Sequence, residues 1–204
     1  MKQPTVQALA GIRGVVFDLD DTLVDSQLDF VAIRKAVGGP PEQGILEYID
    51  TLSGAERAQA EKVLLDAEWR GAELATWMPN AKELVGLLHE RRIPMAILTR
   101  NARDIAQATM ERLGVPIDWL IAREDCAPKP SPEGLLMVAE HWQMPPAHMV
   151  YIGDFKYDIY AALAANMWGC LYIPPRKQSQ PLFSDHGAHW VIDDLAQLNE
   201  IGRK

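Results

Sequence analysis

The sequence predicts an α/β fold: a parallel sheet flanked by helices on both faces, with a small helical unit inserted after the first strand. Three observations carry this. Six short apolar runs are continuous rather than alternating, the pattern of strands buried on both faces of a parallel sheet. From residue 80 onward these runs alternate with helical patterns, the order of a sheet covered by helices. The stretch 26–78 breaks that alternation and shows helical spacing with no convincing strand.

The first run, GVVFDLD (14–20), is β-branched and aromatic and ends abruptly in acids. The inserted unit follows. Residues 28–37 read as a helix closed by Gly38-Gly39-Pro40-Pro41, and 42–50 as a second. Ser53 opens a long third helix, with Ser53 and Glu56 at capping-box spacing. Ala60, Val63, Leu64, Ala67, Gly71, Leu74, Ala75 and Met78 recur along it at helical intervals. Pro79 marks the break. This gives a core domain of 1–24 with 79–204 and a helical cap of 25–78. Ligands of an open α/β sheet bind at the carboxyl ends of its strands, so an insertion after the first strand is expected to act as a lid.

In the second half, residues 80–91 form an amphipathic helix with Asn80 as N-cap and Leu84, Leu87 and Leu88 on one face. The run PMAILT (94–99) is the next strand. A helix over 102–113 stops at Gly114, and DWLIA (118–122) is a further strand. A helix over 132–142 has Ser131 as cap and Pro132 in first position. Then come MVYIGD (149–154), a helix over 156–165, GCLYI (169–173), HWVID (189–193) and a last helix over 194–201.

Composition narrows the function. The 204 residues are 48% apolar and 24% charged, an ordinary globular balance. Twenty Lys plus Arg against 28 Asp plus Glu leave a net charge of −8, which argues against a nucleic-acid binder but not against a phosphorylated substrate held through a cation. Two cysteines, Cys126 and Cys170, make no CxxC and no disulfide framework, and a reducing, cytoplasmic home is expected. The first residues lack the apolar stretch of a signal peptide, and the longest apolar stretch, 161–173, is broken by Asn166 and too short to span a bilayer.

Acids mark the ends of two strands. Asp18 and Asp20, two apart, project to one side while the chain is extended. The plainer reading is a polar strand end, with Asp21 or Thr22 making turn bonds. Asp154 ends the 149–154 strand and Asp158 follows in the first helical turn; the plainer reading is a cap and a helix-dipole partner. Their convergence favours a cation, because like charges this close repel without one, and an all-oxygen carboxylate site suits Mg²⁺. Thr99 supplies a hydroxyl, with Arg100 and Asn101 next; the plainer reading is an N-cap at Asn101 and an exposed Arg100. Lys129, held among Pro128, Pro130 and Pro132, is either a solvated loop lysine or one aimed at a phosphoryl group.

Together these four elements resemble the haloacid dehalogenase superfamily. DLDDTLVDS looks like its first motif, LTR its second, the lysine of PKPSPEG its third and GDFKYD its fourth, in the family's order and on the expected strands. The resemblance covers nearly the whole chain. It implies a Rossmann-like core with a C1-type cap, as in phosphoglycolate-phosphatase-like members, here in a compact version.

Carried over by position, the resemblance makes Asp18 the nucleophile and Asp20 the general acid/base. Asp18, the backbone carbonyl of Asp20 and Asp154 would bind Mg²⁺, with Asp158 supporting the metal site. Thr99, Arg100 and Lys129 would contact the phosphate. The family shows Ser or Thr at the second motif, often followed by Asn; here Arg100 intervenes before Asn101. The expected activity is hydrolysis of a small phosphorylated metabolite, phosphoglycolate-like, by a monomer or homodimer. A phosphomutase or pyrophosphatase of the same superfamily is the alternative. A haloacid dehalogenase fits less well, because halide leaves without the proton that Asp20 supplies. A non-catalytic binding protein would not need the full acid and lysine set, and no GxGxxG follows the first strand to suggest a dinucleotide enzyme.

In the inserted unit, Arg34, Lys35 and Arg70 are candidates to meet a substrate anion, or else solvated helix faces. Trp69 and Trp77 are candidates to line a pocket, or else core. The histidines, His89, His141, His148, His186 and His189, form no metal-ligand cluster by spacing.

Overall fold

A computed structural model describes residues 3–178 and 187–203. After a short helix α1 (Val6–Ala10), the chain enters β1 (Gly14–Phe17), and a two-residue strand β2 (Val24–Asp25) follows. Next come helices α2 (Phe30–Val37), α3 (Ile45–Ile49) and α4 (Gly54–Leu74), and strand β3 (Thr76–Trp77). The second half runs α5 (Ala81–Glu90), β4 (Met95–Leu98), α6 (Arg103–Leu113), β5 (Trp119–Ile121), α7 (Glu133–His141), β6 (Met149–Gly153), α8 (Lys156–Ala164), β7 (Trp168–Tyr172) and β8 (Trp190–Ile192).

Six strands form one parallel sheet in the order β5-β4-β1-β6-β7-β8. All six predicted runs are these strands, so the α/β reading holds. β1 is central: Phe17 stands in register with Ile97 on one side and Ile152 on the other. The chain fills the β4–β5 side first and then crosses to β6 on the other side. The strand order therefore reverses beside β1, the point at which ligands of such sheets generally bind, outside the strands' carboxyl ends.

The sheet is buried on both faces. Val15, Phe17, Ile97, Val150 and Ile152 pack with Leu84, Leu88 and Leu198 on one side. Val16, Ala96, Leu98 and Tyr151 pack with Leu135, Val138 and Ala161 on the other. Alternate residues of one strand thus serve opposite layers, which is why the runs read as continuously apolar.

The chain divides into two compact units, Met1–Asp25 with Thr76–Lys204, and Ser26–Ala75. The second is helical, and Leu28, Ile33, Ile45, Ile49, Ala60 and Leu64 form its own buried cluster. Asp29 caps α2 by accepting from Val31 and Ala32 N–H, and Gly38 closes it at φ 80, where glycine is strain-free.

Several local expectations differ. β2 and β3 pair antiparallel at the base of the insertion and were not foreseen: two residues each leave no periodic signal. The predicted Ser53–Glu56 capping box does not form; Ser53 makes no side-chain cap bond, and Gly54 enters α4 at φ 54. The predicted α4 stripe ends early: Leu74 is exposed, and Met78 packs in the core of the first unit. Asn80 precedes α5 in a left-handed conformation and makes no cap bond; its amide donates to Asp194 at 2.8 Å. Pro132 sits outside α7, whose first residue is Glu133. The helix expected over 194–201 is a 3-10 turn, Leu195–Leu198, which buries Leu195 and Leu198 three apart. Among the described residues no helix is long and apolar enough to cross a membrane.

Candidate active site

β1 hands over to the site without losing its pairing. The Asp18 N–H still donates to Ile152 O at 2.8 Å, so Asp18 is aligned by the sheet itself. From β6, the chain turns through Gly153 and Asp154 into α8, and Asp158 lies in its first turn. Asp158 Oδ2 accepts the Phe155 N–H at 3.0 Å, satisfying one of the helix's free donors. Its other oxygen faces inward.

Lys129 joins the end of β1 to the first turn of α8. Its Nζ donates to Asp18 Oδ1 at 2.7 Å and to Asp158 Oδ1 at 2.6 Å. The Tyr151 hydroxyl oxygen, Oη, lies 2.9 Å from the same nitrogen and the Leu98 carbonyl oxygen 3.4 Å. The Tyr151 hydroxyl lies 3.0 Å from both Leu98 O and Asp158 Oδ1. Lys129, Asp18, Asp158 and Tyr151 are all buried. The lysine is therefore not a solvated loop residue; its three N–H donors are spent inside the fold. Burial disfavours its charge, but Asp158 and Asp18 overcome that and raise its pKa, so it stays an ammonium.

Asp154 completes an acidic triad. One carboxylate oxygen from each of Asp18, Asp154 and Asp158 lies within 4.8 Å of the others. Burial pushes Asp18 well above the usual carboxylate range, opposed by Lys129 and reinforced by Asp158 and Asp154. Asp154 is pushed up to about 7, again chiefly by burial, with Lys177 opposing and Asp158 and Asp21 adding. Carboxylates held this reluctantly as anions, offering only oxygen, fit a hard divalent cation.

The second motif closes the other side. The Thr99 N–H donates to Ile121 O at 2.9 Å, and its Oγ1 accepts the Asn101 N–H at 3.0 Å. Asn101 is not the N-cap of α6; its Oδ1 accepts from the Ala102 N–H at 2.9 Å and its Nδ2 reaches Asp20 Oδ2 at 3.4 Å. Asp20 is thus tied to the Thr99 turn. The Arg100 guanidinium lies 5.7 Å from the centroid of the Tyr157 ring, over its face.

The residues that sequence reasoning missed are Tyr151, Arg176 and Lys177. Tyr151 read only as strand core, although a hydroxyl in a fully buried strand calls for polar partners. Arg176 and Lys177 follow β7, outside every motif. Arg176 pairs with Asp21, and Lys177 contacts Asp154 and lies 3.3 Å from Asp21 Oδ2.

Other candidates lie elsewhere or act structurally. Trp77 belongs to the first unit, where its Nε1–H donates to Leu113 O at 3.2 Å. Arg34 donates to Gln43 O at 3.1 Å and Arg70 to Asp66 O at 3.1 Å, both within the helical unit, where Trp69 is part-exposed and Lys35 exposed. The His141 ring packs tilted against Trp119, and His189 Nδ1 accepts from the Gly169 N–H. His186 lies outside the described residues. Cys126 and Cys170 are free thiols.

A buried lysine between two carboxylates, a third carboxylate beside them and a hydroxyl at the neighbouring strand end thus come together at one edge of the sheet. Residues 12–166 match the haloacid dehalogenase-like hydrolases, and the chain belongs to that family. A haloacid dehalogenase-like hydrolase domain-containing protein of Arabidopsis thaliana is 28% identical over 98% of this chain and 88% of its own. A phosphoglycolate phosphatase of Chromobacterium violaceum is 30% identical over 95% of this chain and 97% of its own. The crystal structure of a predicted phosphoglycolate phosphatase from Haemophilus somnus shares the fold, with a TM-score of 0.76 at 18% identity over 95% of this chain and 99% of that one.

Proposed function

We propose that the chain is a Mg²⁺-dependent phosphatase of a small, phosphoglycolate-like metabolite, acting in the cytoplasm through an aspartyl-phosphate on Asp18. The observation that carries the reading is Lys129 in contact with both Asp18, at the end of β1, and Asp158, in the first turn of α8. The phosphoglycolate phosphatase relative supports the phosphomonoester class.

In this reading an Asp18 oxygen attacks phosphorus, and the ester oxygen departs with a proton from Asp20. The product is an acyl phosphate, which water can hydrolyse, so one difficult displacement becomes two easier ones. Asp20 then takes the proton of the attacking water. Asn101, which reaches the Asp20 carboxyl, orients it between these steps. Lys129 neutralises charge between nucleophile and phosphoryl oxygens, while Thr99 and Arg100 hold the phosphate. Asp18, the Asp20 carbonyl and Asp154 hold the cation, with Asp158 in support; when bound, it screens the approach of one anion to another. The helical unit, 25–78 by sequence, is the cap that sets specificity.

The test is phosphate release from a panel of phosphorylated metabolites, with Mg²⁺ and with EDTA. Release from one or a few compounds only with Mg²⁺ is expected. Release unaffected by EDTA contradicts the cation's part, and sugar-phosphate isomer exchange without release identifies a mutase instead.

A further inference from the structure

Resting on the cation reading above, we infer that Lys177 is an internal competitor for the cation at Asp154, and that Asp21 is the alternative partner to which Lys177 withdraws when the cation binds. Four observations converge. Asp21 is buried at 2% exposure and holds φ 61, a left-handed conformation that costs any side chain energy and that Asp and Asn tolerate best. Arg176 and Lys177 supply its counter-charges from the segment after β7, and Arg176 also lies 3.9 Å from Asp25. The Lys177 ammonium touches Asp154 Oδ2 while lying only 3.3 Å from Asp21 Oδ2.

One carboxylate oxygen does not serve an ammonium and a divalent cation together, because their like charges repel across a buried, weakly screened gap. A cation that takes Asp154 through Oδ2 must displace Lys177. The displaced ammonium needs an acceptor, and Asp21 Oδ2 lies 3.3 Å away. Arg176 fixes the Asp21 carboxylate in place, so the exchange needs only a small movement of the Lys177 side chain. Cation affinity is then set by the difference between the two lysine positions, as well as by the acidic triad.

The test is calorimetric titration of Mg²⁺ into phosphate-free, metal-free protein at pH 8.5. The proteins are the wild type, Lys177→Met, Asp21→Asn and the double variant, with Lys177→Gln as a second neutral replacement. Lys177→Met keeps the side-chain length and removes the charge, and is expected to tighten Mg²⁺ binding about tenfold, the scale of changes beside a metal's ligands. Asp21→Asn is expected to weaken binding in the wild type and to lose most of that effect once Lys177 is Met.

Binding by both lysine variants no tighter than wild type overturns the inference while leaving the cation reading intact. An Asp21→Asn penalty of equal size in both backgrounds also overturns it, since the acid would then act on the cation directly. Absence of Mg²⁺ binding in the wild type and every variant overturns the cation reading and the inference together.

Discussion

A Cβ placed on Gly153 would stand 2.3 Å from the carboxyl carbon of Asp158. The glycine that ends β6 therefore makes room for the acid that anchors Lys129. Gly153→Ala is expected to displace the Asp158 carboxylate from Lys129 and from the Phe155 N–H. The steric cost is about 1–3 kcal/mol of stability. The larger effect is expected on turnover, a loss of at least about tenfold of the kind seen when an outer partner is moved. Thermal unfolding and phosphate release on the same sample separate the two; wild-type turnover in a folded Gly153→Ala protein would show that Asp158 does not position the lysine.

Lys129→Met leaves Asp18 and Asp158 buried beside each other without their shared counter-ion. Breaking a buried pair from one side costs about 3–5 kcal/mol. Urea unfolding of the metal-free protein is expected to show a loss in that range. A loss comparable to that of an exposed ion pair would mean that the acids take up protons or solvent at little cost.

Asp18→Asn is expected to preserve the fold, because the amide retains the volume and the Asp18 N–H keeps its bond to Ile152 O. Turnover is expected to fall by at least about a thousandfold, the scale seen when a nucleophile is removed. Full activity in a clean preparation, with an unchanged circular dichroism spectrum, would remove Asp18 from the reaction.

Cation binding is expected to depend on pH through Asp154. Burial, with Asp158 and Asp21 and against Lys177, raises its carboxyl to about 7, so below that pH a proton occupies the group that the cation needs. Mg²⁺ affinity should therefore rise between pH 6 and 7, by up to about tenfold per unit for one displaced proton, and level off above. Calorimetry in two buffers of different ionisation enthalpy measures the proton released. Affinity unchanged over this range would mean that Asp154 is already ionised at pH 6. Asp154→Ala is expected to weaken Mg²⁺ binding at every pH.

The sheet was legible because each strand serves two layers: Val15 and Val16 face opposite clusters, and both are fully buried. No alternation blurs such a run. Helix ends were harder to read, since caps depend on backbone angles that the residue types only bias. Ser53 and Glu56 have the right spacing, but Gly54 turns through φ 54 and the box does not form. At the site, Asp18, Asp154 and Asp158 stood out because acids end or follow apolar runs, whereas Lys129 alone read equally as a solvated loop lysine and was assigned only through the four motifs in order. Tyr151 did not stand out, because its ring satisfies the apolar pattern while its hydroxyl does the polar work. Lys177 and Arg176 were invisible for a different reason: their partners, Asp154 and Asp21, are distant in sequence and meet them only through the fold.

The most direct test of the central claim is a single-turnover reaction quenched early, reduced with borohydride and mapped by mass spectrometry. An acyl phosphate on an aspartate is reduced to homoserine. The account predicts homoserine at position 18, dependent on substrate and absent from Asp18→Asn. Phosphate release at a normal rate with the label at another carboxylate, or at none, would contradict it.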